Sequence, residues 1–234
     1  MKKIFISVLC LVTTSVLFAQ KGLHIGFIGG PQFTAQINKE DSDNADVRYD
    51  GLTLRGAFGP TVNYHFNDKI GLGTQFLFSY QGLKYTDRAD NNYFRKVTYL
   101  KVPLLFHVNS SSDNVVGGYM YIGPQFGFAM GKDAEVNGTS LKDNVLTRVA
   151  YDVYDDAHKS VAISGVLGFG LLFNIDGGRF QPHVGLRLDG DITSAYDDEK
   201  AATILAKDAS GNRGATRNVA GLVEIGFKFV LFND

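Results

Sequence analysis

The feature that most constrains this chain is an alternation of apolar and small or polar residues held over unusually long runs. From Leu52 the even positions read Leu52, Leu54, Gly56, Phe58, Pro60, Val62, Tyr64 and Phe66, and the odd positions between them read Thr53, Arg55, Ala57, Gly59, Thr61, Asn63 and His65. A period of two places successive side chains on opposite faces of an extended strand, whereas a helix would scatter the same residues around its circumference. The pattern recurs around Phe76 and Phe78, Leu104 and Phe106, Phe126 and Phe128, Leu167 and Phe169, Val184 and Leu186, and Ile225 and Phe227. With a shorter run at Leu23, Ile25 and Phe27 it predicts eight strands. The apolar rows carry no charge.

The connections between these runs alternate in length. Asn67 to Lys69, Asn109 to Gly117 and Asn174 to Gly178 are short and rich in Asn, Asp, Ser and Gly, as tight turns require. Thr34 to Asp50, Thr86 to Arg95, Gly131 to Lys159 and Thr193 to Ala215 are longer and polar. Short turns at one end and long loops at the other are what outer-membrane barrels show. A soluble eight-stranded barrel would turn its apolar face inward and a charged face to water. The second face here is mostly Gly, Ala, Ser, Gln and Tyr, which suits a narrow filled lumen better than a wet exterior. The expected fold is therefore all-β: an eight-stranded antiparallel up-and-down transmembrane β-barrel with short periplasmic turns, long extracellular loops and both termini in the periplasm.

The first nineteen residues read differently. Lys2 and Lys3 precede an apolar stretch from Ile4 to Phe18, closed by Ala19 and Gln20, which is the layout of a secretory signal. The expected organisation is a signal peptide at 1–19 and a barrel domain at 20–234. Removing Lys2 and Lys3 from 23 Lys and Arg leaves 21 against 24 Asp and Glu, a net charge of about −3. That balance gives no reason to expect a nucleic-acid partner. Cys10, the one cysteine, lies within the signal, so no disulfide, cysteine metal site or cofactor is expected in the mature chain.

All five prolines (Pro31, Pro60, Pro103, Pro124 and Pro182) fall inside the expected strands. Each removes a ladder hydrogen bond, so bulges or strand ends near the rim are expected at them.

Three segments resemble a known family, one of them the Ala19-Gln20 end of the signal, which is common in its phylum. Tyr99-Leu100-Lys101-Val102-Pro103-Leu104-Leu105 is similar to the Tyr-Leu-x-Ile-Pro-Leu-Leu strand of the PorT-like outer-membrane β-barrel proteins of Bacteroidota, and Tyr121-Ile122-Gly123-Pro124-Gln125 resembles the strand that follows it. His24 stands where members often carry Lys in a Gly-x-Lys-x-Gly opening. The resemblance implies outer-membrane location and a structural or interaction role accessory to protein secretion. The end of the chain, Gly226 to Phe232, also resembles the signal read by the barrel-assembly machinery. Expected partners are outer-membrane lipid and lipopolysaccharide, that machinery during insertion, and a secretion-system or extracellular protein.

The inward rows hold Arg55, His65, Lys101, His107, His183, Arg187, Asp189, Asp191, Glu224 and Lys228. An unpaired charge in a narrow lumen costs several kcal/mol, so these are expected to form a pairing network that plugs the barrel. No catalytic residue is assigned. The alternative is an outer-leaflet lipid A hydrolase or acyltransferase using His158 and Ser160, two apart at a strand start beside Asp155 and Asp156. Acidic clusters at Asp41, Asp43 and Asp46 and at Asp197, Asp198 and Glu199 lack calcium-loop spacing and read as solvated loops.

Overall fold

The computed structural model describes residues 22–38, 47–49, 52–67, 69–87, 90–110, 115–142, 157–197 and 215–231. Eight strands among them carry the ring: β1 (Leu23–Ile37), β2 (Thr53–His65), β3 (Ile70–Gln75 continued by Leu77–Asp87), β4 (Asn92–Asn109), β5 (Val116–Val136), β6 (Val161–Phe173), β7 (Phe180–Asp191) and β8 (Arg217–Val230). Each pairs antiparallel with its neighbours in sequence, and β1 closes the ring on β8 from His24↔Val230 to Ile37↔Arg217. The expected eight-stranded up-and-down barrel is therefore what forms.

Alternation sorts the side chains as the sequence predicts. Phe58, Phe76, Phe106, Phe126, Leu171, Leu186 and Phe227 are exposed on the outside, while Ala57, Gln75, His107, Gln125, Leu172, Arg187 and Glu224 are buried inside. A belt of exposed aromatic and aliphatic side chains encircling a barrel with a polar interior is the reverse of a water-soluble one. Lipid, not water, is the solvent that suits it.

The prolines correct the expectation of bulges. Pairing holds one register on both sides of Pro60, with Phe58↔Phe78 before it and Thr61↔Gln75 after it. The proline has no N–H to give, but its carbonyl still accepts from the Phe76 N–H at 3.0 Å. The register shift in the β4–β5 ladder falls at Thr98/Tyr99 instead. What Pro31, Pro60 and Pro124 share is a preceding glycine. A Cβ on Gly30, Gly59 or Gly123 would lie 2.0, 1.9 or 1.8 Å from the carbonyl oxygen of Val223, Phe76 or Leu104 on the adjoining strand. Gly-Pro here lets neighbouring backbones close in where the ladder is interrupted, a way of bending a barrel wall without losing register.

The long-loop end also departs from expectation. The connection expected at Thr86 to Arg95 is largely strand, since β3 runs to Asp87 and β4 starts at Asn92. Likewise β1 continues to Ile37, and β5 continues to Val136 before turning at Asn137 (φ 50°) and Gly138 (φ 80°) into Thr139–Ser140. Asn-Gly with both φ positive is the two-residue turn whose twist matches a hairpin. Residues 1–19, Asp41, Asp43, Asp46, Asp155, Asp156, Asp198, Glu199 and Phe232 lie outside the described residues.

The belt generates a test. Phe126→Arg, at the middle of β5 on the exposed face, is expected to cost about 2–4 kcal/mol in a denaturant titration from lipid vesicles. Phe126→Leu should cost much less, and both proteins should keep heat-dependent mobility on SDS gels.

Candidate functional site

The lumen is closed at mid-height by one guanidinium. Arg187 on β7 is 0% exposed. Its Nε donates to Asp189 Oδ1 at 3.0 Å, and its two terminal nitrogens donate to Gln75 Oε1 on β3 and Gln125 Oε1 on β5. Asp189 also accepts from Lys101 Nζ on β4. The guanidinium thus ties three strands across the interior and Asp189 adds a fourth, and the planar fork of arginine is what lets it reach several acceptors at once. Gln75 and Gln125 carry no titratable group and so stand outside the predicted lumen set. Both stand in the inward rows, which was the available signal.

Glu224 on β8 holds the next layer. Its carboxylate accepts from Tyr119 Oη at 2.9 Å and Tyr121 Oη at 2.5 Å, with His183 Nε2 at 3.4 Å. The tyrosines fit because glycines face them: a Cβ on Gly168 would sit 2.1 Å from Tyr121 Cζ, and one on Gly185 would sit 2.4 Å from Tyr119 Oη. Toward the short-turn end, His24 and His65 lie with ring centroids 4.6 Å apart and their planes tilted by 46°, and His107 follows at 6.0 Å from His65. Lys228 Nζ stands 5.4 Å from the centre of the Tyr119 ring. Among the described residues, no three His, Cys, Asp or Glu side chains are gathered closely enough to hold a metal ion.

The long-loop end is filled by chain that folds back into it. His158 and Tyr196 form an isolated bridge, and the Lys159 and Asp197 N–H groups donate to Ala195 and Ala157 carbonyls. Tyr99 Oη meets His158 Nε2 at 3.1 Å, and Tyr196 is 1% exposed. Asp191 accepts from Ser164 Oγ and Asn218 Nδ2, both at 2.7 Å. A small polar vestibule remains beside them, lined by Gln36, Gln81, Arg95, Tyr196 and Asn218 among others.

Nine of the ten predicted lumen residues stand on the inward rows, where pairing gathers around Asp189, Asp191 and Glu224. Among the described residues, both ring nitrogens of His107 have no hydrogen-bond partner and Lys228 meets only the Tyr119 ring. Arg55 stands apart, with its guanidinium against Phe94 at the long-loop end and no carboxylate partner among the described residues. The His158–Ser160 pair is not assembled as a nucleophile and base. His158 is 3% exposed with Nε2 at Tyr99 Oη and Nδ1 at 3.0 Å from the Lys159 carbonyl, whereas Ser160 is exposed. The two residues are not brought together because the segment turns into the mouth before β6 begins.

The family model described as an outer membrane protein beta-barrel domain matches residues 18–193. The chain belongs to that family. It is an integral β-barrel of the outer membrane, and the polar interior just described is its lumen. No curated protein matches it. Among solved structures it is similar to the outer membrane protein OprG from Pseudomonas aeruginosa, with 13% identity, 92% of this chain and 98% of that chain covered, and a TM-score of 0.51. Neisserial surface protein A is similar at 8% identity, with 89% and 97% covered and a TM-score of 0.47. The outer membrane protease OmpT from Escherichia coli is similar at 9% identity, with 91% and 97% covered and a TM-score of 0.39. The likeness to OprG shows the fold, and no activity passes with it.

Arg187→Met should destabilise the barrel by about 1–3 kcal/mol for each acceptor it leaves without a donor, Gln75 Oε1 and Gln125 Oε1, while Asp189 keeps Lys101 as its partner. Equilibrium unfolding in detergent micelles checks this, with wild-type stability in the variant counting against a tying role for the guanidinium.

Proposed function

We propose that this barrel is a closed membrane anchor with a structural or interaction role, accessory to protein secretion, that works through the surface at its long-loop end. The observation that carries the reading is Arg187, fully buried and bonded to residues of β3, β5 and its own strand, with Lys101 completing the crossing. Eight strands enclose only enough room for side chains, so a cross-section filled in this way leaves no aqueous path. Below it, Glu224 with Tyr119 and Tyr121 repeats the closure.

Both ends of the described barrel chain lie on the short-turn side, where the Leu231 N–H donates to the Leu23 carbonyl. Outer-membrane barrels keep short turns in the periplasm, which supports periplasmic termini and outward-facing long loops. The secretion-accessory role rests on the PorT-like motifs, Tyr99 to Leu105 on β4 and Tyr121 to Gln125 on β5, which lie on adjacent strands. Its partners on this reading are outer-membrane lipid and lipopolysaccharide around the belt, the assembly machinery during insertion, and a secretion-system or extracellular protein at the loops. Residues 1–19 act as a signal peptide, and the intact mass of the membrane-extracted protein should correspond to a chain beginning at Gln20.

Two measurements test the anchor. Planar bilayers containing the purified protein should show no stepwise conductance, and steady single-channel steps would replace the anchor with a pore. Affinity capture of the full chain from native outer membrane should recover a second protein in fixed ratio; recovery of the barrel alone would remove the interaction role.

A further inference from the structure

The wall between β2 and β3 is interrupted near the long-loop end. Their ladder runs through Ala57↔Ser79, and among the described residues the chain next pairs with β3 where Val47–Tyr49 meets residues 85–87. In between, Gly82 of β3 bonds to β1 instead: its N–H donates to Thr34 Oγ1 at 3.1 Å, and Thr34 Oγ1 donates to its carbonyl at 3.0 Å. The upper part of β3 therefore leans toward the mouth. Phe94 of β4 packs into the breach, where a Cβ on Gly82 would come within 2.7 Å of its ring and 3.2 Å of Thr53 Cγ2.

Three cations converge on that ring. Arg55 Cζ, Lys84 Nζ and Lys96 Nζ lie 5.3, 5.2 and 5.0 Å from its centre, so no two are separated by more than about 10.5 Å. Like charges that close lie within about one Debye length of each other and repel. A single aromatic face attracts a cation only weakly and cannot balance three. Lys96 has Glu135 as a partner. Among the described residues Arg55 and Lys84 have no carboxylate partner, and Arg55 Nε is buried without an acceptor. Among the described residues the cluster thus holds two positive charges without a carboxylate partner and one unused donor.

Its depth narrows the choice of anion. The outward row of β3 reads Phe76, Phe78 and Tyr80, all exposed, then Gly82 and Lys84. Lys84 stands four residues beyond the last aromatic, about 13 Å along the strand. With a strand tilt of about 40° that is roughly 10 Å above Tyr80 along the barrel axis, at the rim where the exposed apolar rows of β1 and β2 end with Ile37 and Leu52.

We infer that Arg55, Lys84 and Lys96, gathered on Phe94 at the breach between β2 and β3, form a binding site for a phosphate group, carried by the glycolipid headgroups of the outer leaflet. The guanidinium supplies paired donors to phosphate oxygens and the lysines supply point charges. This site rests on the reading that the long-loop end faces outward.

The test uses the full mature chain reconstituted in phosphatidylethanolamine vesicles doped with bisphosphorylated lipid A or with its dephosphorylated form, and counts the glycolipid that stays with the protein on extraction. Wild type should retain the phosphorylated form at least tenfold better, and Lys84→Glu, an exposed change that spares the interior, should abolish the preference. Arg55→Lys with Lys84→Arg should keep it. Equal retention of the two lipids, or an unchanged preference in Lys84→Glu, overturns the site. Titration with inorganic phosphate alone separates the sources: binding of free phosphate without any lipid preference would overturn the glycolipid assignment. Lys84→Cys should be labelled by a membrane-impermeant maleimide on intact cells. Absence of labelling would overturn the outward orientation, independently of what the vesicles report.

Discussion

A strand in hydrocarbon has no water to bond, and each unsatisfied N–H or C=O costs several kcal/mol. Everything else in this barrel follows from meeting that demand. The pairing of β1 with β8 joins segments from opposite ends of the chain and leaves no edge in the membrane belt. Once the ring is closed, alternation has only one consistent outcome: the uncharged rows meet lipid, and whatever lies between them goes inside. The five prolines show how strictly the ring is kept. Around Pro60 the donor is lost, yet the proline carbonyl is used, the register holds, and the preceding glycine lets the neighbouring backbone approach.

Closure with eight strands sets the second constraint, which is space. The interior takes large polar side chains only where the facing wall is bare. Tyr121 lies over Gly168, Tyr119 over Gly185, His107 and Asn63 over Gly73, and His183 over Gly226. Part of the glycine content of the chain, 27 residues, is therefore a negative image of its aromatic and imidazole content. The same economy explains Arg187. One guanidinium with several acceptors can satisfy Gln75, Gln125 and Asp189 together, where separate pairs would need more room. The breach between β2 and β3 is the place where the wall itself gives way, and there Phe94 fills the gap with three cations around its ring.

The strands were legible over the belt because lipid enforces alternation there. Beyond it the enforcement stops. Residues such as Thr86, Asn92 and Lys132 continue the β3–β4 and β4–β5 ladders in water, with no apolar row to announce them, so the sequence alone puts loops where strands continue. The His158–Ser160 pair misled for a related reason. Two-residue spacing places side chains on one face only while the chain is extended, and here it bends into the mouth to meet Tyr99 and Tyr196.

The amino-acid sequence by itself determined the number of strands, the face each one turns to lipid, and the charged residues assigned to the interior, because these depend on local period and on the cost of charge in hydrocarbon. Only the tertiary structure decided which charges meet. Arg187 reaches Gln75 across 112 residues of sequence and Gln125 across 62, and Glu224 reaches Tyr119 across 105. Such contacts are set by strand tilt and register around a closed ring. For the same reason Arg55, in an inward row like the others, joins Lys84 and Lys96 at the mouth rather than the carboxylates of the lumen.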